Sequence, residues 1–198
     1  MRLPEIIGVA GTNGAGKDTL ARIRTEIEGA GNVSLSDILR GELDKRGLAH
    51  ERENLRAVGN ELRAQFGPGV LATRAVDEYH ADGTKQGLSL TSVRTIGEAE
   101  AIKQAGGSIV WVDADRKIRY ERVIVRGQGR ASDQKTFDEF CAEEDIEMYP
   151  PEDEKDKPDR INMAAVRDMA DIVITNEFAD ATAYEDYLKA EFEIGLAN

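Results

Sequence analysis

Short apolar runs alternate with longer amphipathic stretches from one end of the chain to the other, and this alternation predicts an α/β fold. Five runs have strand length and character: Ile6 to Ala10, Val33 to Leu35, Leu88 to Val93, Ile109 to Val112 and Ile172 to Thr175. Helical spacing lies between them. The first helix is predicted from Lys17 to Glu28, with Leu20, Ile23 and Ile27 on one stripe, and it stops at Gly29-Ala30-Gly31. Three more follow from Ser36 to Arg46, Arg52 to Phe66 and Val70 to His80, parted by turns at Gly47 and at Gly67-Pro68-Gly69. This stretch is too long for a simple crossover and reads as a helical insertion over 36–82 that caps or binds a substrate. Two further helices are predicted, from Glu98 to Ala105 ahead of Gly106-Gly107, and from Arg116 to Arg126 ahead of Gly127. Between Glu143 and Asp159 acidic residues dominate, Pro150, Pro151 and Pro158 interrupt, and no helical period survives, so a solvated loop is expected. There is no internal repeat. Strands interleaved with helices imply a parallel sheet covered on both faces, with ligands gathering at the C-terminal strand ends.

Composition limits what such a domain can do. A chain of 198 residues suits one α/β domain with excursions. The formal net charge of -12 argues against a broad nucleic-acid surface, which needs positive patches, but leaves room for a small anion held by a local arginine cluster. Cys141 is the single cysteine, so no intramolecular disulfide and no multi-cysteine zinc site can form; His50 and His80 are isolated and lack ligand spacing. No apolar run approaches the ~20 residues of a membrane span, and Met1 to Glu5 leads straight into the first strand without a signal-peptide core. A cytoplasmic protein that binds neither membrane nor nucleic acid is therefore expected.

The chemistry is concentrated in Gly11 to Thr19, GTNGAGKDT, directly after the first strand. Glycines 11, 14 and 16 let the backbone turn so that successive N–H groups point at phosphate oxygens, Lys17 adds a mobile positive charge, and the helix that begins here adds its dipole. The usual phosphate-loop pattern ends in Gly-Lys followed by Ser or Thr; here Asp18 holds that place and Thr19 comes one residue later. The shifted hydroxyl resembles the P-loop nucleoside monophosphate kinases, whose loops often read G-x-x-G-x-G-K-x-T. That likeness implies a three-layer P-loop kinase fold with a five-stranded parallel sheet, a helical acceptor-binding insertion and a lid, and it implies ATP with Mg²⁺ as cofactors. Asn13, Gly14, Ala15, Gly16, Lys17, Asp18 and Thr19 would hold the ATP phosphates, Thr19 serving also as metal ligand.

The rest of the likeness follows in order along the chain. Ser36 or Asp37 can cap a helix, with Arg40 one turn on; by themselves these residues fit an N-cap and a surface arginine equally well. The run resembles the kinase segment in which D-L-L-R opens the acceptor-binding helices, and Leu62-Arg63 with Gly69-Val70-Leu71-Ala72 extends it. The resemblance makes Asp37, Arg40 and Arg63 acceptor-binding residues. After the third strand, Arg94-Thr95 matches the end of the adenylate-kinase stretch D-G-F-P-R-T, and an arginine fork at this sheet edge suits a phosphate. Its aspartate has no counterpart: Thr91 and Ser92 stand there, leaving Glu98 or Asp18 as possible helpers of the metal.

Arg119, Arg122 and Arg126 share a helix face, which is either a solvated surface or the start of a lid. Glu121 to Arg126 resembles the lid's beginning in the same kinases, over a lid region 122–145; Arg122 would then pack on the adenine, and Arg126 and Arg130 would join Lys17 and Arg94 as catalytic groups on the phosphates. Ala170 to Asn176 resembles the last strand of dephospho-coenzyme A kinases, which would set Asn176 beside the adenine. The reading that results is an ATP-dependent transfer of a phosphoryl group to a nucleoside or deoxynucleoside monophosphate. Its alternatives are a dephospho-coenzyme A kinase-like enzyme acting on a hydroxyl, with Asp37 as base, and a nucleotide-sensing module without catalysis.

Overall fold

The computed structural model of the protein describes residues 1–126 and 135–195, Arg126 by its backbone only. Its strands are β1 (Ile6–Gly11), β2 (Gly31–Ser34), β3 (Leu88–Thr91), β4 (Ser108–Asp113) and β5 (Ile172–Thr175). They form one parallel sheet in the order β2-β3-β1-β4-β5. Strand β1 lies at the centre, with Ile7 opposite Ser89 of β3 on one side and Ser108 of β4 on the other. Every residue of β1 is buried. Because side chains alternate across a strand, Ile6 and Ala10 enter one core while Ile7 and Val9 enter the other. Burial on both faces explains why this segment reads as a continuous apolar run rather than an alternating one.

The nine described helices are α1 (Lys17–Glu28), α2 (Leu35–Arg46), α3 (Arg52–Phe66), α4 (Val70–Asp82), α5 (Ile96–Gln104), α6 (Arg116–Arg126), α7 (Phe137–Met148), α8 (Met163–Asp168) and α9 (Ala181–Glu191). One core joins the Ile6 face to α2–α5 and α8; the other joins the Ile7 face to Leu20 and Ile23 of α1 and Leu188 of α9. Within α1 the predicted stripe is broken. Ile27 is exposed, and the buried place is taken by Arg24, which donates to Ser89 Oγ at 3.2 Å and Pro4 O at 3.1 Å and pairs with Glu28. A buried guanidinium is tolerated here because carbonyl, hydroxyl and carboxylate oxygens replace its water. No described helix is long and apolar enough to cross a membrane.

Three helices lie outside the sequence expectation. Thr136 and Glu139 form a reciprocal capping box that opens α7, so residues 143–148 of the supposed acidic loop are helical. Asn162 and Asp180 cap α8 and α9 with their side chains. Beyond Met148 the chain does run in turns, but its end is pinned: Gly97 N donates to Pro158 O at 2.9 Å and Asn162 N to Arg94 O at 3.1 Å.

The edge strand β5 is tied to β4 by Asp171. Its carboxylate accepts from Ile109 N at 2.8 Å and from Lys103 Nζ at 2.6 Å. Partial burial alone pushes this carboxyl up; the Lys103 ammonium and the Ile109 N–H more than offset it, so its pKa lies below the ordinary aspartate value. A depressed folded-state pKa contributes stability above the unfolded value of about 3.9 and loses it as pH falls toward the folded value. Asp171→Asn is therefore expected to shallow the fall of unfolding free energy below about pH 4, while costing less than about 1 kcal/mol at pH 7 because the pair is partly solvated. Urea titrations from pH 2.5 to 7 check this, and an unchanged acid limb contradicts it.

Candidate active site

The phosphate loop leaves β1 at the C-terminal edge of the sheet. Gly11, Gly14 and Gly16 have φ of 147°, 79° and 91°, in the region that side chains disfavour. At Gly11 a Cβ would lie 2.1 Å from Val112 O, and at Gly14 it would lie 2.6 Å from Arg119 O. The glycines thus allow both the turn and the close approach of β4 and α6. Helix α1 begins at Lys17 behind Gly16, whose lack of a side chain leaves the first-turn N–H groups without a capping oxygen. Lys17 Nζ donates to Thr12 O at 3.3 Å. Asn13 and Asp18 are exposed, and Thr19 is half-buried with its N–H on Gly16 O at 3.1 Å.

Behind the loop, a charged network joins four elements. Thr12 Oγ1 donates to Asp113 Oδ1 at 2.8 Å, at the end of β4. Arg119 of α6 is 2% exposed; it donates to Ala114 O at 2.7 Å and Asn13 O at 3.4 Å, and its Nε lies 3.3 Å from Asp113. Its outer edge forms a two-pronged ion pair with Glu144 of α7, one arm at 2.9 Å. Asn176, also buried, donates to Ala15 O at 2.8 Å and accepts from Arg122 at 3.5 Å. Asp113 and Asn176 thereby fix the two flanks of the loop, and Arg119 ties it to α7.

In front of the loop lies a cleft of about 260 Å³. Thr12 and Lys17 of the loop, Ser92 and Arg94 beyond β3, Arg52 of α3 and Glu147 of α7 line it, together with the apolar side chains of Val93, Met148 and Met163. Arg94 Nη1 and Arg52 Nη2 both donate to Glu147 Oε1, at 3.1 and 3.3 Å. On the same helix Glu143 takes Lys135 at 2.5 Å. Ser92 has φ 62°, a left-handed conformation that costs a non-glycine residue about 1–3 kcal/mol, and its hydroxyl lies 3.2 Å from that of Ser34. The ends of β2 and β3 are held together by two hydroxyls where the kinase resemblance would put a metal-assisting acid. The carboxylate that reaches the loop instead comes from Asp113, on the other side of β1.

The structure brings Lys17 and Arg94 to one cleft, and Arg122 to Asn176 beside the loop. It does not bring the acceptor residues of the insertion there. Arg40 pairs with Asp37 at the surface, and Arg63 binds Glu98 at 3.0 Å. Glu98 is itself buried and serves as the capping partner of Thr95, so both its oxygens are engaged. The Arg126 side chain and Arg130 lie outside the described residues, as does the middle of the expected lid. Arg52, Asp113, Arg119, Glu144 and Glu147 were not anticipated as site residues. Only Arg119 carried a signal, its place on the arginine face of α6; the others meet solely through the fold.

Against known proteins, no family model matches the chain. It is 30% identical to a UPF0200 protein of Pyrobaculum aerophilum over 176 residues, 87% of each chain. It is 32% identical to one of Thermococcus kodakarensis over 178 residues, 86% of this chain and 88% of the relative. Among solved structures it resembles TT1252 from Thermus thermophilus with a TM-score of 0.58 at 19% identity, covering 100% of both chains. It also resembles shikimate kinase from Bacteroides thetaiotaomicron with a TM-score of 0.52 at 15% identity, over 95% of this chain and 96% of that one. The structural likenesses establish a P-loop kinase fold, in agreement with the parallel sheet and the glycine loop. The sequence likenesses, extending over most of both chains, place this protein in the UPF0200 family.

Proposed function

We propose that the protein is an ATP-dependent phosphotransferase that moves the γ-phosphoryl group of ATP to a nucleoside or deoxynucleoside monophosphate. One observation carries this reading: Lys17 on the phosphate loop and Arg94 beyond β3 line the same cleft, so two cationic groups from separate elements are available to two anions in one space. The loop N–H groups and Lys17 would hold the β and γ phosphates. An acceptor phosphate is already an anionic nucleophile, so no general base is required; the remaining work is positioning and stabilising the spread charge. Arg94 does this from the acceptor side, Arg122 and Asn176 border the donor, and Arg126 and Arg130 are the proposed lid contribution. Asp37 pairs with Arg40 outside the cleft lining, which leaves the hydroxyl-acceptor alternative without the base assigned to it.

Mg²⁺ fits this site in a limited way. Among the described residues no group of three or more His, Cys, Asp or Glu could hold a metal ion. That suits an ion taking most of its ligands from phosphate oxygens and water, with Thr19 supplying one. When bound, it would neutralise charge on the β and γ phosphates. An ADP-release assay with ATP and Mg²⁺, run across the ribo- and deoxyribonucleoside monophosphates, is expected to show turnover with at least one of them. No turnover with any would overturn the proposal.

A further inference from the structure

Two guanidinium groups from separate parts of the chain converge on a single oxygen. Arg94 comes from the loop after β3, and Arg52 is the first residue of α3, in the helical insertion. Both donate to Glu147 Oε1, and all three line the cleft that contains Lys17. Surface arginines gain little from one shared carboxylate, so stability is a weak reason for the arrangement. Converging planar forks are, however, the geometry that selects a phosphate. The neighbouring carboxylates have cations of their own, Glu144 with Arg119 and Arg116, Glu143 with Lys135. Glu147 is the one whose partners are the cleft's acceptor-side arginines.

We propose that Arg52 joins Arg94 as the seat of the acceptor's phosphate monoester, and that Glu147 is an internal occupant of this seat which the acceptor displaces. This deepens the reading of the cleft as a two-anion site and rests on it. The ligand class is a phosphate monoester, whose second negative charge and additional oxygens let it engage both forks where Glu147 offers one oxygen. Glu147 then acts as a filter: a ligand must bind both arginines better than a tethered carboxylate does. The anchoring of α7 on α6, through Glu144 with Arg119 and Asp145 with Arg116, does not involve Glu147, so its side chain can leave without the helix.

The test is calorimetric binding of AMP, CMP, GMP and UMP and their deoxy counterparts to the full chain saturated with Mg²⁺ and a non-hydrolysable ATP analogue. Glu147→Gln is expected to tighten binding of the preferred monophosphate about tenfold, and Arg52→Ala to weaken it about tenfold, with the parent nucleoside unaffected by either. Unchanged or weaker binding by Glu147→Gln overturns the proposal. So do equal tightening of the nucleoside and absence of binding by every monophosphate. Binding is read without turnover. A chain that binds as expected and transfers nothing refutes the kinase reading alone, whereas turnover with an indifferent Glu147→Gln refutes this one alone.

Discussion

Glu144→Ala is expected to lower the unfolding free energy by about 3 kcal/mol, because it leaves Arg119 buried without its principal counter-charge. The side chains of Arg119 and Glu144 are 3% and 9% exposed. Water cannot readily replace the lost carboxylate there, and an uncompensated charge away from solvent is costly. Asp113 and Ala114 O still accept from Arg119, which holds the loss at the low end of the usual range for breaking a buried pair. An exposed pair such as Arg46–Glu61 offers the contrast; its removal is expected to change stability by less than about 1 kcal/mol. Urea unfolding at pH 7, with equal m-values for both proteins, gives the comparison. A loss below about 1 kcal/mol for Glu144→Ala would mean that Arg119 finds another partner, and α7 would no longer count as anchored through it.

The same residues show how far the sequence leads. The phosphate loop is local: three glycines, a lysine and a following helix are contiguous, the glycines and the helix acting through backbone geometry and the lysine through its side-chain charge. The five strands are legible for a related reason, since a parallel sheet covered on both faces needs nearly unbroken apolar runs. Helix α7 is different. Glu143, Glu144, Asp145 and Glu147 give it a solvated composition, yet they face Lys135, Arg119, Arg116, Arg94 and Arg52 from other elements. Composition cannot distinguish acids that face water from acids that face arginines. The Thr136-x-x-Glu139 box was the signal that a helix began there. Arg24 makes the same point in reverse, a charged residue on the buried side of α1 whose partners come from the loop before β1 and from β3. For the proposed acceptor site, Arg40 and Arg63 have the right type and order, but they pair with Asp37 and Glu98, whereas Arg52 lines the cleft with no local pattern to announce it.

Arg94→Ala separates the two halves of the proposed site most sharply. Its backbone is held independently of its side chain, with the N–H on Glu98 at 2.9 Å and the carbonyl taking Asn162 N at 3.1 Å, so truncation should leave the loop in place. The lost guanidinium is one preorganised donor for charge that spreads in the transition state, an effect of about 10²–10³-fold in kcat/KM for the acceptor. Binding of an ATP analogue should stay within about twofold, since the phosphate loop, Lys17 and the Thr12–Asp113 bond are untouched. Lys17→Ala should behave otherwise, weakening the analogue and slowing transfer together, because its charge belongs to the donor side. Equilibrium binding of the analogue and steady-state rates on the same two variants distinguish these patterns. Equal loss of analogue affinity in both would place Arg94 on the donor phosphates and remove the proposed separation of donor and acceptor groups.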